Sequence, residues 1–281
     1  MVEKFDLVIV GAGWNGLSMA HTYMEAHPNA NIVILDYARS LEAMRLTSEP
    51  SMPFFSGLEE FGGHIFHAKD FKLRAKDIAT WFPGDSPDDP ALQAQVRGEI
   101  SKWAPVLNVA PVRELPRNVE IDLAATKEQK SPHSSPYRLY RFLVPYGEGF
   151  IQQKNFAIIG AHITIHTAII SQAQALWITA FFGDKIPHLR GPGTKHVYDK
   201  IKHDTWFHTE FERVRRPKET GGAGERYPDL VADSIPYVDM LLSDLGLSYH
   251  RKQNIYRELL EPYQIADYKG LAREWMRGEG R

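Results

Sequence analysis

Gly11, Gly13 and Gly16 are spaced as G-x-G-x-x-G, and Asp36 follows 20 residues after the third glycine. These residue types at these spacings suit dinucleotide binding. The first glycine permits a tight turn, the second lets backbone approach a pyrophosphate, and the third lets a helix pack closely on a strand. The helix start then offers unpaired N–H groups and a partial positive charge to the anion. Trp14 and Asn15 lie inside the loop and complete a candidate cofactor-binding set of Gly11, Gly13, Trp14, Asn15, Gly16 and Asp36. An acid at Asp36 can bond a ribose hydroxyl and argues against a 2′-phosphate there, so FAD or NAD suits the loop better than NADP. The alternative is a glycine turn that only packs helix on strand. The flanking elements therefore matter.

Those elements form a β-α-β unit. Residues 5 to 10, FDLVIV, are an apolar, β-branched run that predicts a buried strand. Leu17, Ala20, Tyr23 and Met24 then recur at helical spacing, and Pro28 marks the exit. Ile32, Val33, Ile34 and Leu35 predict a second buried strand ending at Asp36. A unit of this kind usually opens a doubly wound sheet. A third parallel strand is expected at 156 to 159, followed by a helix from about 161 to 182. Between them, residues 72 to 136 hold eight prolines, each of which removes a backbone donor and fixes φ. Loops are expected there, with a short helix near 93 to 103, one strand near 119 to 123, and a flexible connection at 127 to 136. The remainder is polar and mostly helical in pattern, including 231 to 246 and 263 to 278, with a loop at 219 to 225.

Composition narrows the function classes. The 281 residues include 43% hydrophobic and 11% aromatic side chains, enough for one sizeable core or two small ones. A formal net charge of -2 gives no electrostatic footprint for nucleic acid. The absence of cysteine excludes disulfides, thiolate catalysis and Cys-based metal sites. No signal peptide is expected from MVEKFDLVIVGAG, because its apolar run is short and ends in glycines. The apolar stretch 156 to 182 approaches bilayer length, but His162, His166, Gln172 and Gln174 speak for a buried strand and helix instead. A cytoplasmic protein without a membrane or nucleic-acid partner is expected.

Other candidates fall short. His162 and His166 have i, i+4 spacing on the expected helix, but Ile163 stands where an H-E-x-x-H site needs Glu, and no metal is expected. His196, His203 and His208 scatter through a polar helical stretch and are expected to be solvated. The six tryptophans suit core and interface. No G-x-S-x-G elbow supports a hydrolase. A simple NAD-dependent reductase is disfavoured because no Tyr-x-x-x-Lys pair stands where hydride transfer of that type would need it.

A second motif brings a resemblance. FGGHIFHAKDF, residues 61 to 71, contains Phe61-x-Gly63-x-x-x-His67-x-x-x-Phe71. It resembles the F-x-G-x-x-x-H-x-x-x-(F/Y/W) signature of flavin-containing monooxygenases, and LTSEPSMPFFSGLEE before it resembles the lead-in of fungal members. LYRFLVP, residues 157 to 182, DSIPYVDMLLSDLG and LLEPYQIADYKGL resemble their C-terminal third. The resemblance implies FAD on the first glycine loop and NADPH, on a second loop, as its reductant. It implies that the flavin delivers one atom of oxygen to a soft nucleophile or a carbonyl, while the protein supplies position and dryness. By the same resemblance Phe61, Gly63, His67 and Phe71 link two nucleotide domains, and Gly160 and Ala161 neighbour the flavin. On its own chemistry His67 fits a structural histidine equally well.

The sequence also departs from that pattern. The Gly-Gly-x-Trp and Ala-Thr-Gly stretches of the family are missing, and no later glycine cluster has the strand–turn–helix context of a second phosphate loop. The expected fold is α/β: a reduced Rossmann-like, FAD-binding three-layer domain over 1 to 190, interrupted by the irregular segment at 72 to 136, with a mostly helical C-terminal region, 191 to 281, packed on it. The expected function is that of a flavin-dependent monooxygenase-like oxidoreductase acting on a small organic molecule in secondary metabolism. The alternative is a shortened, catalytically impaired relative that at most binds FAD or a partner homologue. Homo- or hetero-oligomers are compatible with either.

Overall fold

A computed structural model describes residues 4–35, 89–103, 138–191, 193–215 and 228–278. The chain begins as its β-branched runs dictate. Strand β1 (Leu7–Val10) and strand β2 (Ile32–Leu35) pair in parallel, with Leu7 opposite Ile32 and Val10 opposite Leu35. Helix α1 (Trp14–Ala26) makes the crossover that parallel strands require. It places buried Met19 and Ala20 in the main core, with Ile9 of β1. Side chains alternate across a strand, so Val8 and Val10 point the other way and are exposed. Among the described residues the sheet thus carries a helical layer on one face.

The centre of the molecule is a single helix, numbered α4 below (Thr167–Phe182). Twelve of its sixteen residues are buried, all of 169 to 181 except Gln172, with Ser171 and Gln174 among them. A helix that is apolar all round belongs in the interior, and here α1 packs along one side of it. Trp177 is fully buried and stacks on Phe181 with ring centroids 5.3 Å apart. Before α4, a tight hairpin joins β3 (Leu139–Tyr140) to β4 (Val144–Pro145). Helix α3 (Glu148–Gln153) follows it.

Two expectations fail just before α4. Residues 156 to 159 form no strand. The Ile158 N–H donates to the Leu143 carbonyl at 2.7 Å, while Ala157 and Ile159 pack half-buried on the core. A four-residue apolar run carries no periodicity that separates a strand from an irregular buried segment. The helix also starts at Thr167, not near 161. Gly160 turns the chain at φ +79, and Ile163 bridges to Asp229 through bonds to Pro228 and Leu230. Residues 160 to 166 are therefore a loop, and the helical i, i+4 relation of His162 to His166 does not exist.

The expected helix near 93 to 103 is present as α2 (Pro90–Trp103). Proline suits a first helical position, and the Asp89 carboxylate caps the turn by accepting from the Leu92 N–H at 3.0 Å. Its Val96 and Ile100 pack on Trp206 of α5 (Lys195–Arg215). Glu210 on α5 is fully buried and is satisfied by Gln93 at 2.9 Å and Arg97 at 2.8 Å. Helices α6 (Ser234–Asp244), α7 (Ile255–Leu260) and α8 (Leu271–Arg277) complete the described chain. Tyr237, Val238, Leu241 and Leu242 of α6 join the same core as Ile9 and α4. No helix among the described residues is long and apolar enough to cross a membrane.

Candidate functional site

The glycine loop has the local geometry its sequence requires. Gly11 adopts φ +104, a conformation that residues with a Cβ rarely reach. Gly13 is the N-cap of α1, with no side chain bonding the helix end and no acid in the first turn. Among the described residues a Cβ on Gly13 would meet nothing within 4 Å. A Cβ on Gly16 would overlap the Gly11 carbonyl and touch the Ile9 side chain at 3.4 Å. The third glycine therefore serves helix-on-strand packing, a role the second does not have. The first bonded turn is Leu17 N–H to Gly13 carbonyl at 3.0 Å, and helical geometry leaves the N–H groups before it without an intrahelical acceptor. An anion is the natural complement to that end.

Loop 160 to 166 stands beside the glycine loop. A Cβ on Gly160 would overlap the Asn15 carboxamide, so the two segments touch through a position that only glycine fills. Asn15 in turn accepts a hydrogen bond from the Ser171 hydroxyl. The Gly160 N–H donates to Gln174 Oε1 at 3.0 Å, Gln174 Nε2 donates to the Tyr237 hydroxyl at 2.9 Å, and that hydroxyl donates to the Arg141 carbonyl at 2.7 Å. Gln174 Nε2 also lies 3.3 Å from His162 Nδ1. Burial pushes His162 down to about 4 and raises the Tyr237 phenol well above its ordinary range, so both are neutral near pH 7. The site is neutral and wholly hydrogen-bonded on its α4 side, and offers donors on its α1 side.

Trp14, a candidate for cofactor binding as well as for core or interface, is 61% exposed and so is not a core residue. It begins a cleft of about 550 Å³ that runs along the outer face of α1 to Glu25 and is closed by residues 269 to 273. This cleft leads away from the open face of Gly13, towards the C-terminal end of α1. Asp36 and the motif residues Phe61, Gly63, His67 and Phe71 lie outside the described residues. His208 is not solvated as expected: burial drives it down to about 3, and its Nδ1 has no hydrogen-bond partner. Among the described residues no cluster of three or more His, Cys, Asp or Glu could hold a metal. Tyr198 and Lys202 do have Tyr-x-x-x-Lys spacing, on α5, but their side chains engage Gln152 at 2.9 Å and Asp89 at 3.1 Å rather than the glycine loop.

Sequence reasoning missed Ser171, Gln174 and Tyr237. The available signal was the presence of Ser171 and Gln174, two polar residues three apart, inside a mostly apolar helix. It also missed a buried ion pair behind them. Arg141 grips Asp244 with two bonds, 2.7 and 2.9 Å, and Trp177 Nε1 donates to the same carboxylate at 2.9 Å. Arg141 and Phe142 both have positive φ, at the tip of the β3–β4 hairpin. The pair holds that hairpin against α4 and α6.

The chain is similar to three fungal proteins named FAD-dependent monooxygenase. It is 29% identical over 223 residues to rstn6 of Aspergillus nomiae, a match covering 76% of this chain and 34% of that protein. It is 27% identical over 222 residues to resA of Aspergillus sclerotiorum, again over 76% of this chain and 34% of that protein. With avaB of Aspergillus versicolor the identity is 28% over 211 residues, 71% of this chain and 28% of that protein. The chain thus spans about a third of the length of the curated relatives it matches. No family model and no solved structure matches it.

Proposed function

We propose that this chain, a relative of fungal FAD-dependent monooxygenases, binds FAD through its glycine loop and serves flavin-dependent monooxygenation of a small organic molecule. The observation that carries the reading is the uncapped N-terminus of α1. Gly11 turns the chain, Gly16 seats the helix on β1, and Gly13 leaves the helix end open. The residues present fit a pyrophosphate: N–H donors from the first turn, a favourable helix dipole, and no acid in that first turn. Asp36, at the end of β2 in sequence, is proposed to bond the adenosine ribose.

FAD, when bound, supplies the oxygen chemistry, and the protein's contribution is to position it and keep water away. Ile9, Met19 and Ala20 supply a dry wall beneath the loop. Asn15 and Gly160 close its side. Phe61, Gly63, His67 and Phe71 are proposed to link this unit to a second nucleotide site, with NADPH as the hydride source. The names of the similar proteins support the FAD reading, and the resemblance of the second motif supports the NADPH part.

The test is the visible spectrum of the purified protein after incubation with FAD and removal of free cofactor. A retained flavin band is expected, and anaerobic NADPH is expected to bleach it. A protein that leaves the column colourless would overturn the FAD reading. A retained band that NADPH leaves unchanged would overturn only the reductive half.

A further inference from the structure

Helix α7 (Ile255–Leu260) has its polarity inverted. A surface helix ordinarily turns its apolar residues to the core and its charges to water. Here no residue of the helix is buried. Ile255, Tyr256, Leu259 and Leu260 are 63, 75, 75 and 80% exposed. Positions 255 and 259, and 256 and 260, are i, i+4 neighbours, so the four side chains form one stripe. The residue held inward is an acid. Glu258, with its side chain 12% exposed, accepts from the Lys252 N–H at 3.0 Å and from the Tyr263 hydroxyl, and lies 3.1 Å from His250 Nδ1. Asn254 caps the first turn by accepting from the Arg257 N–H at 3.0 Å. A polar anchor thus fixes the helix with its apolar stripe outward. With Ile265 in the next turn, 65% exposed, the stripe offers on the order of several hundred Å² of apolar surface, against the roughly 800 Å² per partner of a stable interface. Contiguous patches of this kind mark docking surfaces.

Charge decides between the occupants. One edge of the stripe carries Arg257 and Glu261, paired at 3.3 Å and both about half exposed. An anionic membrane surface selects helices rich in Lys and Arg along the polar edge. Helix α7 has one Arg, offset by Glu261, and the cations before it, Arg251 and Lys252, are held by Glu274 and Asp267. Opposite charges four residues apart on one edge are instead self-complementary, as a two-fold interface requires. We propose that α7 is the docking surface for a second copy of this chain. The two helices pack antiparallel with the two-fold axis at Leu259, so that like edges meet and Arg257 of each copy faces the partner's Glu261. This inference stands apart from the FAD reading.

Sedimentation equilibrium of the full chain at micromolar concentrations reads the dimer, with melting temperature as the check on each variant's fold. The unaltered chain is expected to dimerise. Leu259→Lys sets two like charges at the axis and is expected to raise the dimer Kd at least about tenfold, with the melting temperature of the monomer unchanged because the side chain is exposed. Arg257→Glu and Glu261→Arg are each expected to weaken the dimer about fivefold, as replacing two rim attractions by repulsions would. Mixed with each other, these two variants are expected to recover the unaltered affinity. Their complementary charges meet only across the interface, so repair within one helix cannot produce that result. A dimer that Leu259→Lys leaves intact, or a mixture no tighter than its components, overturns the proposal. Should Leu259→Lys not fold, the mixture decides alone. A chain that stays monomeric also overturns it, and cosedimentation of that monomer with phosphatidylcholine–phosphatidylserine vesicles would assign the stripe to a membrane surface instead.

Discussion

Gly16 of α1 lies so close to the carbonyl of Gly11 that any side chain at position 16 would overlap it, whereas a Cβ at position 13, two residues beyond the turn, would meet no atom of the described residues within 4 Å. The same motif therefore contains one glycine that packing requires and one that packing does not require.

Substitutions at the two positions should separate accordingly. Gly16→Ala must push helix from strand, and a cost of about 1–3 kcal/mol is expected, as for other overpacked sites. Gly13→Ala has room for its methyl group and should cost less than about 1 kcal/mol, but it places that group where a pyrophosphate would approach. Urea unfolding reads the first effect and FAD titration the second. Equal loss of stability at both positions would contradict the division.

The Arg141–Asp244 pair should behave as a buried charge pair. Their side chains are 11% and 8% exposed, and Asp244 also accepts from Trp177. Arg141→Met strands the carboxylate with one neutral donor, and a loss of about 3–5 kcal/mol is expected. Replacing both partners with apolar residues should recover much of it. A double-mutant cycle on denaturant midpoints checks this, and additive losses would refute coupling.

Stability should fall on acidification through the range of the buried histidines. His208 sits between Phe142 and Phe207, and burial lowers it to about 3 from the ordinary 6.5. The unfolded chain therefore binds a proton that the folded chain refuses between about pH 6.5 and 3, and stability rises with pH across that window. His162, lowered to about 4, acts with the same sign. Asp239 opposes both, since burial raises it to about 6 and the folded state holds its proton between 3.8 and 6. Comparison with His208→Gln isolates one histidine: the variant should lose less stability between pH 7 and pH 5 than the unaltered chain. Parallel pH profiles would contradict the assignment.

The β-α-β unit was legible because its signals were local. Glycine spacing, β-branched runs and Pro28 fix β1, α1 and β2 within the chain segment that forms them. The burial of α4 was legible too, since Ile169, Ile170 and Trp177 leave it no apolar-free face. The start of α4 was not. It depends on Gly160 at φ +79 and on Ile163 bonding Pro228 and Leu230, residues far away in sequence. The roles of Ser171 and Gln174 were hidden for the same reason: nothing near them names Asn15, Gly160 or Tyr237 as a partner. Aromatic content alone did not separate Trp14, which is exposed at the start of α1, from Trp177 and Trp206, which are fully buried.

The most direct measurement is a paired titration of the full chain with FAD and with FMN, which share the flavin ring and differ in the pyrophosphate and adenosine. The glycine-loop account predicts FAD binding at least about tenfold tighter than FMN, with Gly13→Ala narrowing the gap. Equal affinity for the two, or no binding of either, would contradict it.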